Sequence, residues 1–340
     1  MGVRQGARNR TRRWGISALT AVLGAGLVAG LGASEPAEAQ LPDTAAAQDF
    51  TATRVMPLGD SITRGVGSPT LSSYRIDLQN RLLKGGMEID YVGSQRKGAG
   101  SDPDHEGHGG WSIDMLSAEV DGWLATYQPD VVLLHAGTNN LKAGDGPYNT
   151  VRQLSGLIDQ IRTARPEARI FVAQVLTARP RQEAAADRMY NKLIPAMIEA
   201  KNDELITIVD QSTVHGIDLH DLRHPNDFGY SKMAWNWYRA MSRVYGLSGN
   251  TGPNPYRMTT ARRCLAQRVV IDGFERHRTE CRDWTLRGRT VLVDGVQTRV
   301  RTWQTLREVR RAYRVKVNGE WTARTRLVRY WAGPGDLSEL

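Results

Sequence analysis

Ser61 lies where a reactive hydroxyl group would be well placed. A hydrophobic run that begins at Val55 ends at Gly59, and a helical pattern begins near Leu71, so Ser61 falls in a strand-to-helix turn. Backbone N–H groups at such a turn, with the positive end of the following helix, favour the negative charge that forms when a serine attacks a carbonyl. The alternative is ordinary capping, because Gly-Asp-Ser also suits a turn whose polar side chains bind free helix N–H groups.

Two further stretches carry polar side chains that could act together with a serine. Asp221 and His224 are three positions apart just before the last predicted helix, so the carboxylate could hold the imidazole while its other nitrogen faces a serine. A solvated surface pair is the alternative for this spacing. Asn139, in Gly-Thr-Asn-Asn, directly follows the apolar run 131–136 and therefore lies at the end of a predicted buried strand.

The elements needed to position these residues alternate along the chain. Short apolar runs predict strands, and stretches with apolar residues at helical spacing predict helices between them. This alternation predicts an α/β fold with a doubly wound parallel sheet, whose ligands bind beyond the carboxyl ends of the strands, where Ser61 and Asn139 both fall. The predicted strands are 55–59, 89–93, 131–136, 168–176 and 205–209, and the predicted helices begin near 71 and span 112–127, 148–163, 182–201 and 230–245.

The N-terminus has the pattern of an export signal. Five arginines precede the apolar stretch 16–31, and Ala37-Glu38-Ala39 follows it. We therefore predict a signal peptide over 1–39, a flexible leader over 40–52, and a secreted, extracellular protein with no membrane span. Arg12 and Arg13 fit a twin-arginine export signal loosely, so the export route stays open.

The positive charge of the chain is concentrated at its C-terminus. The formal net charge is +9, but residues 40–256 contain 21 basic and 25 acidic residues, whereas residues 257–340 contain 19 basic and nine acidic residues. Gly, Pro and Asn are frequent in 248–256, which is typical of a flexible linker. We predict a catalytic domain over 53–247, a linker over 248–256 and a small basic β-rich domain over 257–340.

Residues 257–340 also contain the chain's two cysteines and paired β-type runs. Asp294-Gly295 and Asn318-Gly319 each lie between such runs, which is a strong hairpin signal. In an exported protein Cys264 and Cys281 are expected to form one disulfide. The four tryptophans of this segment could form its core while its arginines are merely solvated. Alternatively, the excess of ten positive charges could tether the protein to an anionic polysaccharide or cell-wall polymer, and nucleic acid is a less expected partner. In that case residues 257–340 would take no part in the chemistry.

Taken together, the three motifs of 53–247 resemble those of the SGNH (GDSL-type) hydrolases. Gly59-Asp60-Ser61, Gly137-Thr138-Asn139-Asn140 and Asp221-x-x-His224 occur in the order of that superfamily. The segments 105–111 (His-Glu-Gly-His-Gly-Gly-Trp) and 224–230 are similar to the family 3 carbohydrate esterases, which include acetyl xylan esterases. This resemblance implies a flavodoxin-like SGNH hydrolase fold over roughly 54–246.

The resemblance also implies a role for each matching residue. Ser61 would be the nucleophile, His224 the general base and Asp221 the residue that orients it. The oxyanion hole would be formed by the N–H groups of Ser61 and Gly110 and by the side-chain amide of Asn139. Gly93 is the competing candidate for the glycine.

The sequence departs from the family pattern at two positions and offers a weak metal alternative. Asn140 stands where the family usually has Asp, which could loosen the loop that holds Asn139, and Gly109 stands where the family usually has Ser. The spacing of His105 and His108 is one residue short of the His-Glu-x-x-His helix pattern, so we expect neither metal nor cofactor. We expect His108 to order its loop and His135 to be a packed core residue, and we assign no role to His215 or His220.

These observations predict a secreted serine esterase that removes O-acetyl or other short acyl groups from polysaccharides or oligosaccharides. One alternative is a GDSL-type lipase or phospholipase acting on lipid esters. Another is a wall-binding or glycan-binding protein that does not catalyse a reaction.

Overall fold

The described part of the chain contains a mostly parallel sheet and a separate antiparallel sheet. This computed structural model describes residues 52–272, 274–293 and 296–333, so the predicted signal peptide and residues 40–51 of the leader lie outside the described residues. The first sheet contains β1 (Thr53–Gly59), β2 (Ile89–Tyr91), β3 (Gln95–Arg96), β4 (Asp104–Gly107), β5 (Val131–His135), β6 (Arg169–Gln174) and β7 (Ile206–Asp210).

Seven α-helices lie among these strands in the sequence. The short helices α1 and α4 directly follow β1 and β5, and the long helices join successive strands. They are α1 (Ser61–Arg64), α2 (Arg75–Lys84), α3 (Ile113–Tyr127), α4 (Thr138–Ala143), α5 (Pro147–Ala164), α6 (Arg181–Glu199) and α7 (Asp227–Tyr245).

Strand β1 lies at the centre of the first sheet. It pairs in parallel with β5 on one side, and on the other side with β2 at its start and β4 at its end. The pairing continues in parallel from β5 to β6 and from β6 to β7, while the short β3 pairs antiparallel with β4. The carboxyl ends of β1 and β5 are neighbours, since Gly59 lies opposite His135. The residues that follow these two strands are therefore brought together.

Both faces of this sheet are covered by helices. Leu78 and Leu82 of α2 and Trp237 of α7 are buried on one face, and Leu116 of α3 and Leu157 of α5 are buried on the other. Full burial of a large apolar side chain stabilises a fold by about 1.5–3 kcal/mol. The five residues of β5 are all buried, which explains its nearly continuous apolar sequence.

The second sheet consists of four long antiparallel strands in sequence order. They are β8 (Thr260–Ile271), β9 (Phe274–Val293), β10 (Val296–Val317) and β11 (Glu320–Ala332). Asn318 and Gly319 both have positive φ angles at the β10–β11 turn, as the hairpin signal requires. Cys264 lies opposite Cys281 in neighbouring strands, and the two are joined by a disulfide.

The tryptophans of the second sheet do not form a common core. Trp284 is fully buried, Trp303 is half-buried, and Trp321 and Trp331 are 66% and 44% exposed. The burial of Trp284 coincides with the end of the sheet that lies next to α7, because β8 packs against that helix. The expected tryptophan core is thus limited to one end of the sheet.

The segment expected to be a flexible linker is held against the first domain. Arg81 of α2 donates to the carbonyl oxygens of Thr251 and Pro253, both at 3.2 Å. Tyr256 forms hydrogen bonds with Thr213 and Asn236 through its phenolic oxygen. These contacts explain why the composition of 248–256 was a poor guide to its conformation, since the partners are far away in sequence.

The predicted fold class is confirmed, with an α/β domain and a small β sheet after it. One region differs, because no strand was predicted between 93 and 131, whereas β3 and β4 lie there. Each of these strands has at most four residues, too few to give a periodic signal. None of the described helices is long and apolar enough to cross a membrane.

Candidate active site

Ser61 is the first residue of helix α1, directly after β1. The carboxylate of Asp60 caps this helix, because its Oδ1 accepts a hydrogen bond from the Ile62 N–H at 2.8 Å. Gly59 is required at the turn, since an added Cβ would lie 2.2 Å from the carbonyl oxygen of His135. The two interpretations of the sequence therefore coexist, because Asp60 performs the capping and leaves the Ser61 hydroxyl available.

Asp221 and His224 lie in a closed hairpin, here called the 218–226 hairpin. Leu219 and Pro225 form an isolated antiparallel bridge, and the His220 N–H donates to the His224 carbonyl oxygen at 2.7 Å. The backbone Asn226 N–H closes the base by donating to the Asp218 carbonyl oxygen at 2.8 Å. This tight turn places both functional side chains on one side, as their spacing predicted.

The structure brings Ser61, His224 and Asp221 into one hydrogen-bonded chain. The Ser61 Oγ lies 2.9 Å from His224 Nε2, and His224 Nδ1 lies 2.8 Å from Asp221 Oδ2. Because a carboxylate can only accept, Nδ1 donates to it and Nε2 is left to accept the serine proton. This arrangement can make the hydroxyl a nucleophile without a metal ion.

The environment of Asp221 keeps its carboxylate ionised. Burial alone would raise its pKa, but hydrogen bonds and the charge of His224 outweigh this effect and hold the pKa well below its usual range. Asp221 Oδ1 also accepts the backbone N–H groups of Arg223 and His224, both at 2.8 Å. The group is therefore fixed as an acceptor at neutral pH.

Asn139 connects the turn after β5 with both the serine turn and the loop after β4. Its Nδ2 donates to the Trp111 carbonyl oxygen at 2.8 Å and lies 3.5 Å from Asp60 Oδ2. Burial raises the pKa of Asp60 to about 6. The contacts of Asn139 with Asp60 and Trp111 were not predicted, because nothing in the spacing of these residues shows that Asn139 bridges them.

The two candidate glycines occupy different environments. Gly110 has a φ of +84°, and no atom lies within 4 Å of the place where its Cβ would be. It directly precedes Trp111, the residue that Asn139 contacts. Gly93 is buried, and a Cβ there would lie 2.3 Å from the backbone of His105. Gly110 borders open space, whereas Gly93 is enclosed by a neighbouring strand.

The departure from the family pattern at Asn140 does not leave its loop unsupported. Asn140 Oδ1 accepts the Ile113 N–H at 2.9 Å, while its Nδ2 donates to Asp145 Oδ2 and Gln153 Oε1 at 2.9 and 3.1 Å. An aspartate at this position would face the Asp145 carboxylate. The amide therefore suits these neighbours, and the expected loosening has no support in these contacts.

The histidines of the 104–108 segment serve its local structure. His108 stacks between Trp111 and Trp123, with ring centroids 4.3 and 4.7 Å apart, and its Nε2 lies 2.6 Å from Glu106 Oε1. His105 is buried and accepts the Gly107 N–H, and burial lowers its pKa to about 3. Within the described ranges, no group of three or more His, Cys, Asp or Glu side chains could hold a metal ion.

Other residues support the site without having been identified from the sequence. Arg223 forms an ion pair with Glu183 of α6, and Arg179 donates to the carbonyl oxygens of Gly216 and Leu219 next to the hairpin. His135 is fully buried, as expected of a core residue, and burial lowers its pKa to about 4. Long sequence separations hide these contacts from an analysis of local patterns.

The chain is similar to known ester-hydrolysing proteins. The sequence model of the GDSL-like lipase/acylhydrolase family matches residues 58–232, which include all three members of the hydrogen-bonded chain. A solved Clostridium thermocellum family 3 carbohydrate esterase is 35% identical, with a TM-score of 0.51, over 57% of this chain and 97% of that chain. A family 3 carbohydrate esterase from Talaromyces cellulolyticus, at 24% identity and a TM-score of 0.51, shows the same fold over 58% of this chain and 100% of its own.

Two curated relatives are also similar over part of their length. A protein of Acetivibrio thermocellus named endoglucanase X is 34% identical over 149 residues, which are 42% of this chain and 63% of the relative. A multidomain esterase of Ruminococcus flavefaciens is 29% identical over 243 residues, which are 61% of this chain and 30% of the relative. The chain therefore spans less than two thirds of either relative.

Proposed function

Because the chain belongs to the GDSL-like lipase/acylhydrolase family of ester-hydrolysing enzymes, we propose that it is a secreted serine esterase. Its substrates are O-acetyl or other short acyl esters on polysaccharides or oligosaccharides. The observation that supports this proposal most strongly is the chain of contacts from Ser61 Oγ to His224 Nε2 and from His224 Nδ1 to Asp221.

The first half of the reaction forms an acyl-enzyme on Ser61. The Ser61 Oγ attacks the ester carbonyl carbon while His224 Nε2 takes the hydroxyl proton, and Asp221 stabilises the resulting imidazolium. The tetrahedral intermediate then collapses, the bond to the alcohol oxygen breaks, and His224 returns the proton to the departing sugar hydroxyl. The sugar alcohol leaves and the acyl group stays on Ser61.

The negative oxygen of the intermediate is bound by three N–H donors. These are the backbone N–H groups of Ser61 and Gly110 and the side-chain amide of Asn139. We favour Gly110 over Gly93 because Gly110 borders open space and its neighbour Trp111 is held by Asn139. The long 3.5 Å contact from Asn139 to Asp60 is the one that would be exchanged for the oxyanion.

Water completes the cycle by the same route. It loses a proton to His224 Nε2 as its oxygen attacks the acyl carbonyl. Collapse of the second intermediate then breaks the bond to Ser61 Oγ, His224 gives its proton to that oxygen, and the acid leaves. All the steps use groups of the chain and water.

The substrate class and the location are proposed on separate grounds. A carbohydrate substrate is supported by the similarity to the solved family 3 carbohydrate esterase and to the multidomain esterase. Secretion is supported by the predicted signal peptide over 1–39, which lies outside the described residues. A preference for short acyl groups is an extension of the same resemblance.

An acyl-chain-length series tests the proposal against the lipase alternative. The purified protein is assayed with p-nitrophenyl acetate, butyrate, octanoate and palmitate, and acetate release from acetylated xylan is then measured. We expect kcat/KM to be highest for acetate and acetate to be released from the xylan. A maximum at octanoate or palmitate would favour a lipase, and no hydrolysis of any ester would favour a non-catalytic glycan-binding protein.

We also propose that the C-terminal sheet binds a polysaccharide that carries carboxylate groups. Arg311 lies opposite Arg326 and Tyr313 lies opposite Arg324, so these four exposed residues share one face of β10 and β11. The Arg326 guanidinium lies 5.7 Å from the centroid of the Tyr313 ring. Arginine binds carboxylates through two parallel hydrogen bonds, and an aromatic ring offers a surface for a sugar ring. Salt-sensitive retention on polygalacturonate tests this proposal.

A further inference from the structure

The C-terminal sheet contacts the hairpin that carries Asp221 and His224. The first strand of that sheet, β8, packs against α7, the helix that follows the hairpin. Two consecutive residues of β8, Arg263 and Cys264, reach the hairpin itself. The two sheets are therefore joined at the point in the α/β domain where the general base is held.

Arg263 is buried against two aromatic rings that meet edge to face, with their centroids 5.9 Å apart and their planes at 69°. Its side chain has no exposed area, and the guanidinium carbon lies 4.4 Å from the Phe228 ring centroid and 4.1 Å from the Trp303 ring centroid. Phe228 belongs to α7 and Trp303 to β10, so the guanidinium connects the two parts of the chain. Burial lowers the pKa of Arg263 to about 10, which leaves it charged at neutral pH.

The charge of Arg263 faces the base of the hairpin. Its Nη2 lies 3.5 Å from Asp218 Oδ1, a distance that gives an ion pair but no well-formed hydrogen bond. The other carboxylate oxygen of Asp218 accepts from Lys232 Nζ at 2.6 Å, and the backbone of Asp218 closes the hairpin with Asn226. Arg263 is held by its contacts with the faces of these two rings and by its attraction to the Asp218 carboxylate.

The neighbouring residue of β8 holds one strand of the hairpin. The carbonyl oxygen of Cys264 lies 3.2 Å from His220 Nδ1. The backbone N–H of His220 in turn donates to the carbonyl oxygen of His224 at 2.7 Å. The C-terminal sheet thus contacts His220, and His220 is hydrogen-bonded to the backbone of His224.

We propose that Arg263 is a positioning residue that holds His224 at the correct distance from Ser61. The inference rests on the proposed esterase function. Asp221 and His224 lie in the same hairpin, so their mutual contact does not depend on where the hairpin sits. The 2.9 Å contact between His224 and Ser61 joins two different elements, and a shift of about 1 Å there can cost about 100-fold in rate. This proposal differs from the expectation that residues 257–340 take no part in the chemistry.

The test compares Arg263→Met with Arg262→Met in the full chain. Arg262 is the adjacent residue, its side chain is 67% exposed and its ion pair is with Asp283 of the same sheet. With p-nitrophenyl acetate we expect Arg263→Met to lower kcat by at least about tenfold, with KM changed less than about twofold. Arg262→Met is expected to keep the wild-type kcat and KM.

Covalent labelling separates misplacement of His224 from loss of folded protein. A fluorophosphonate reacts with a serine that is activated by its base, so its rate reports the Ser61–His224 contact and its final extent reports the folded fraction. For Arg263→Met we expect labelling to be slow but to reach one group per chain. Fast labelling that stops at a low extent would show that Arg263 only stabilises the fold, and would overturn the proposal.

Further variants keep the proposal testable if Arg263→Met does not fold. Trp303→Leu removes one of the two rings that contact Arg263 but keeps the ion pair, and the matched Trp321→Leu removes a ring that is 66% exposed. We expect about a threefold loss of kcat for the first and no loss for the second. Arg263→Lys, which keeps the charge without the planar group, should fall between Arg263→Met and wild type. If folded Trp303→Leu and Arg263→Lys both had wild-type kcat, the proposal would be wrong.

The wild-type protein and Ser61→Ala separate this inference from the proposed function. If the wild-type chain hydrolyses no ester, the proposed function fails before Arg263 is examined. If the wild-type chain is active and Ser61→Ala is inactive, but Arg263→Met retains full kcat, only the positioning role fails.

Discussion

The two sheets of this protein are built on opposite principles. The parallel sheet is covered on both faces, and every residue of β5 is buried. The antiparallel sheet is longer in each strand but mostly exposed, and in β11 only Ala332 is buried. Its far end leaves Val270 and Phe274 exposed, each at 69%. The first sheet is stabilised by its own core, whereas among the side chains described in the second sheet the buried hydrophobic ones are Ala261, Trp284 and Ala332.

This difference separates the roles that each part can play. A covered sheet can hold side chains within a few tenths of an ångström, which catalysis requires. An open, basic sheet offers a large surface on which many weak contacts with a polymer can add up. Arg263 lies at the boundary between the two sheets. The roles of the two sheets can be separated by measuring variants of each one in the same assays.

The largest loss of kcat is expected from replacing the residues that break the ester bond, all of which belong to the domain of the covered sheet. Ser61→Ala should lower kcat by about 10⁴-fold or more, and His224→Ala should be nearly as severe, because the serine is a poor nucleophile without its base. Both variants should keep the wild-type circular dichroism spectrum. Measurable turnover by Ser61→Ala would mean that a different group attacks the ester.

Asp221→Asn is expected to have the next largest effect. The carboxylate stays ionised because its hydrogen bonds and the charge of His224 hold its pKa low, and an amide could not stabilise the imidazolium in the same way. We expect kcat to fall by about 10²–10⁴-fold, with a smaller change in KM. Full activity would show that another acid serves His224. The depressed pKa also means that Asp221 stabilises the fold above its unfolded pKa of about 4, and that this contribution is lost in strong acid.

Asn139→Ala tests the donor that connects three turns of the covered sheet. We expect a loss of about 10²–10³-fold in kcat, the usual effect of removing one oxyanion donor. Asn140→Ala is the control for a general loosening of the loop, since Asn140 holds this loop through Ile113 and Asp145. A raised KM with normal kcat in Asn139→Ala would instead make Asn139 a substrate-binding residue.

A smaller effect is expected on the free energy of unfolding, which should depend on the ionisation of Asp187, a buried residue of α6. Burial raises the pKa of Asp187 to about 6. Such a group favours the folded state below its unfolded pKa of about 4, and this contribution is lost as the pH rises through about 6. Asp187→Asn cannot ionise, so we expect wild type to lose about 1–3 kcal/mol more stability than the variant between pH 4 and pH 7.

Urea unfolding at the two pH values measures this difference. The exposed Asp121 provides a control, because Asp121→Asn should follow the wild-type pH dependence. If Asp187→Asn and wild type had the same pH dependence of unfolding, the pKa of Asp187 would not be raised in the folded chain.

The sequence predicted the covered sheet well because its signals are local. The apolar run 131–135, the capped turn at Ser61 and the tight Asp221–His224 spacing each fall within a few residues. Each also has one dominant physical cause, namely burial on both faces, free helix N–H groups or turn geometry. The fold class and the meeting of the motifs at the carboxyl strand ends could therefore be predicted.

The sequence could not predict the contacts between the two sheets because they join residues far apart. Arg263 looks like any other arginine of a basic segment, and only the structure shows that it contacts Phe228 and Trp303. The same holds for residues 248–256, whose carbonyl oxygens bind Arg81. Composition describes what a segment is made of, but its partners decide whether it is fixed.

The smallest effect on catalysis is expected from the face of the open sheet that we propose binds polysaccharide. Replacing Arg311, Arg324 and Arg326 by Gln removes three positive charges around Tyr313, far along the strands from Arg263. We expect retention on polygalacturonate to require about half the salt for elution, because each charge contributes to an additive, screened attraction. The kcat for p-nitrophenyl acetate should change less than about twofold, since Ser61, His224 and Arg263 are untouched.

The matched control removes three exposed arginines from the covered part of the chain, Arg152, Arg188 and Arg239. It changes the net charge equally, so equal loss of retention in both triple variants would mean that overall charge, and no particular face, binds the polymer. If the sheet variant lost kcat but kept normal retention, the open sheet would contribute to catalysis and its Arg311, Arg324 and Arg326 would not bind the polymer. The open sheet would then act on catalysis over its whole length, and the positioning role could not be confined to the end that carries Arg263.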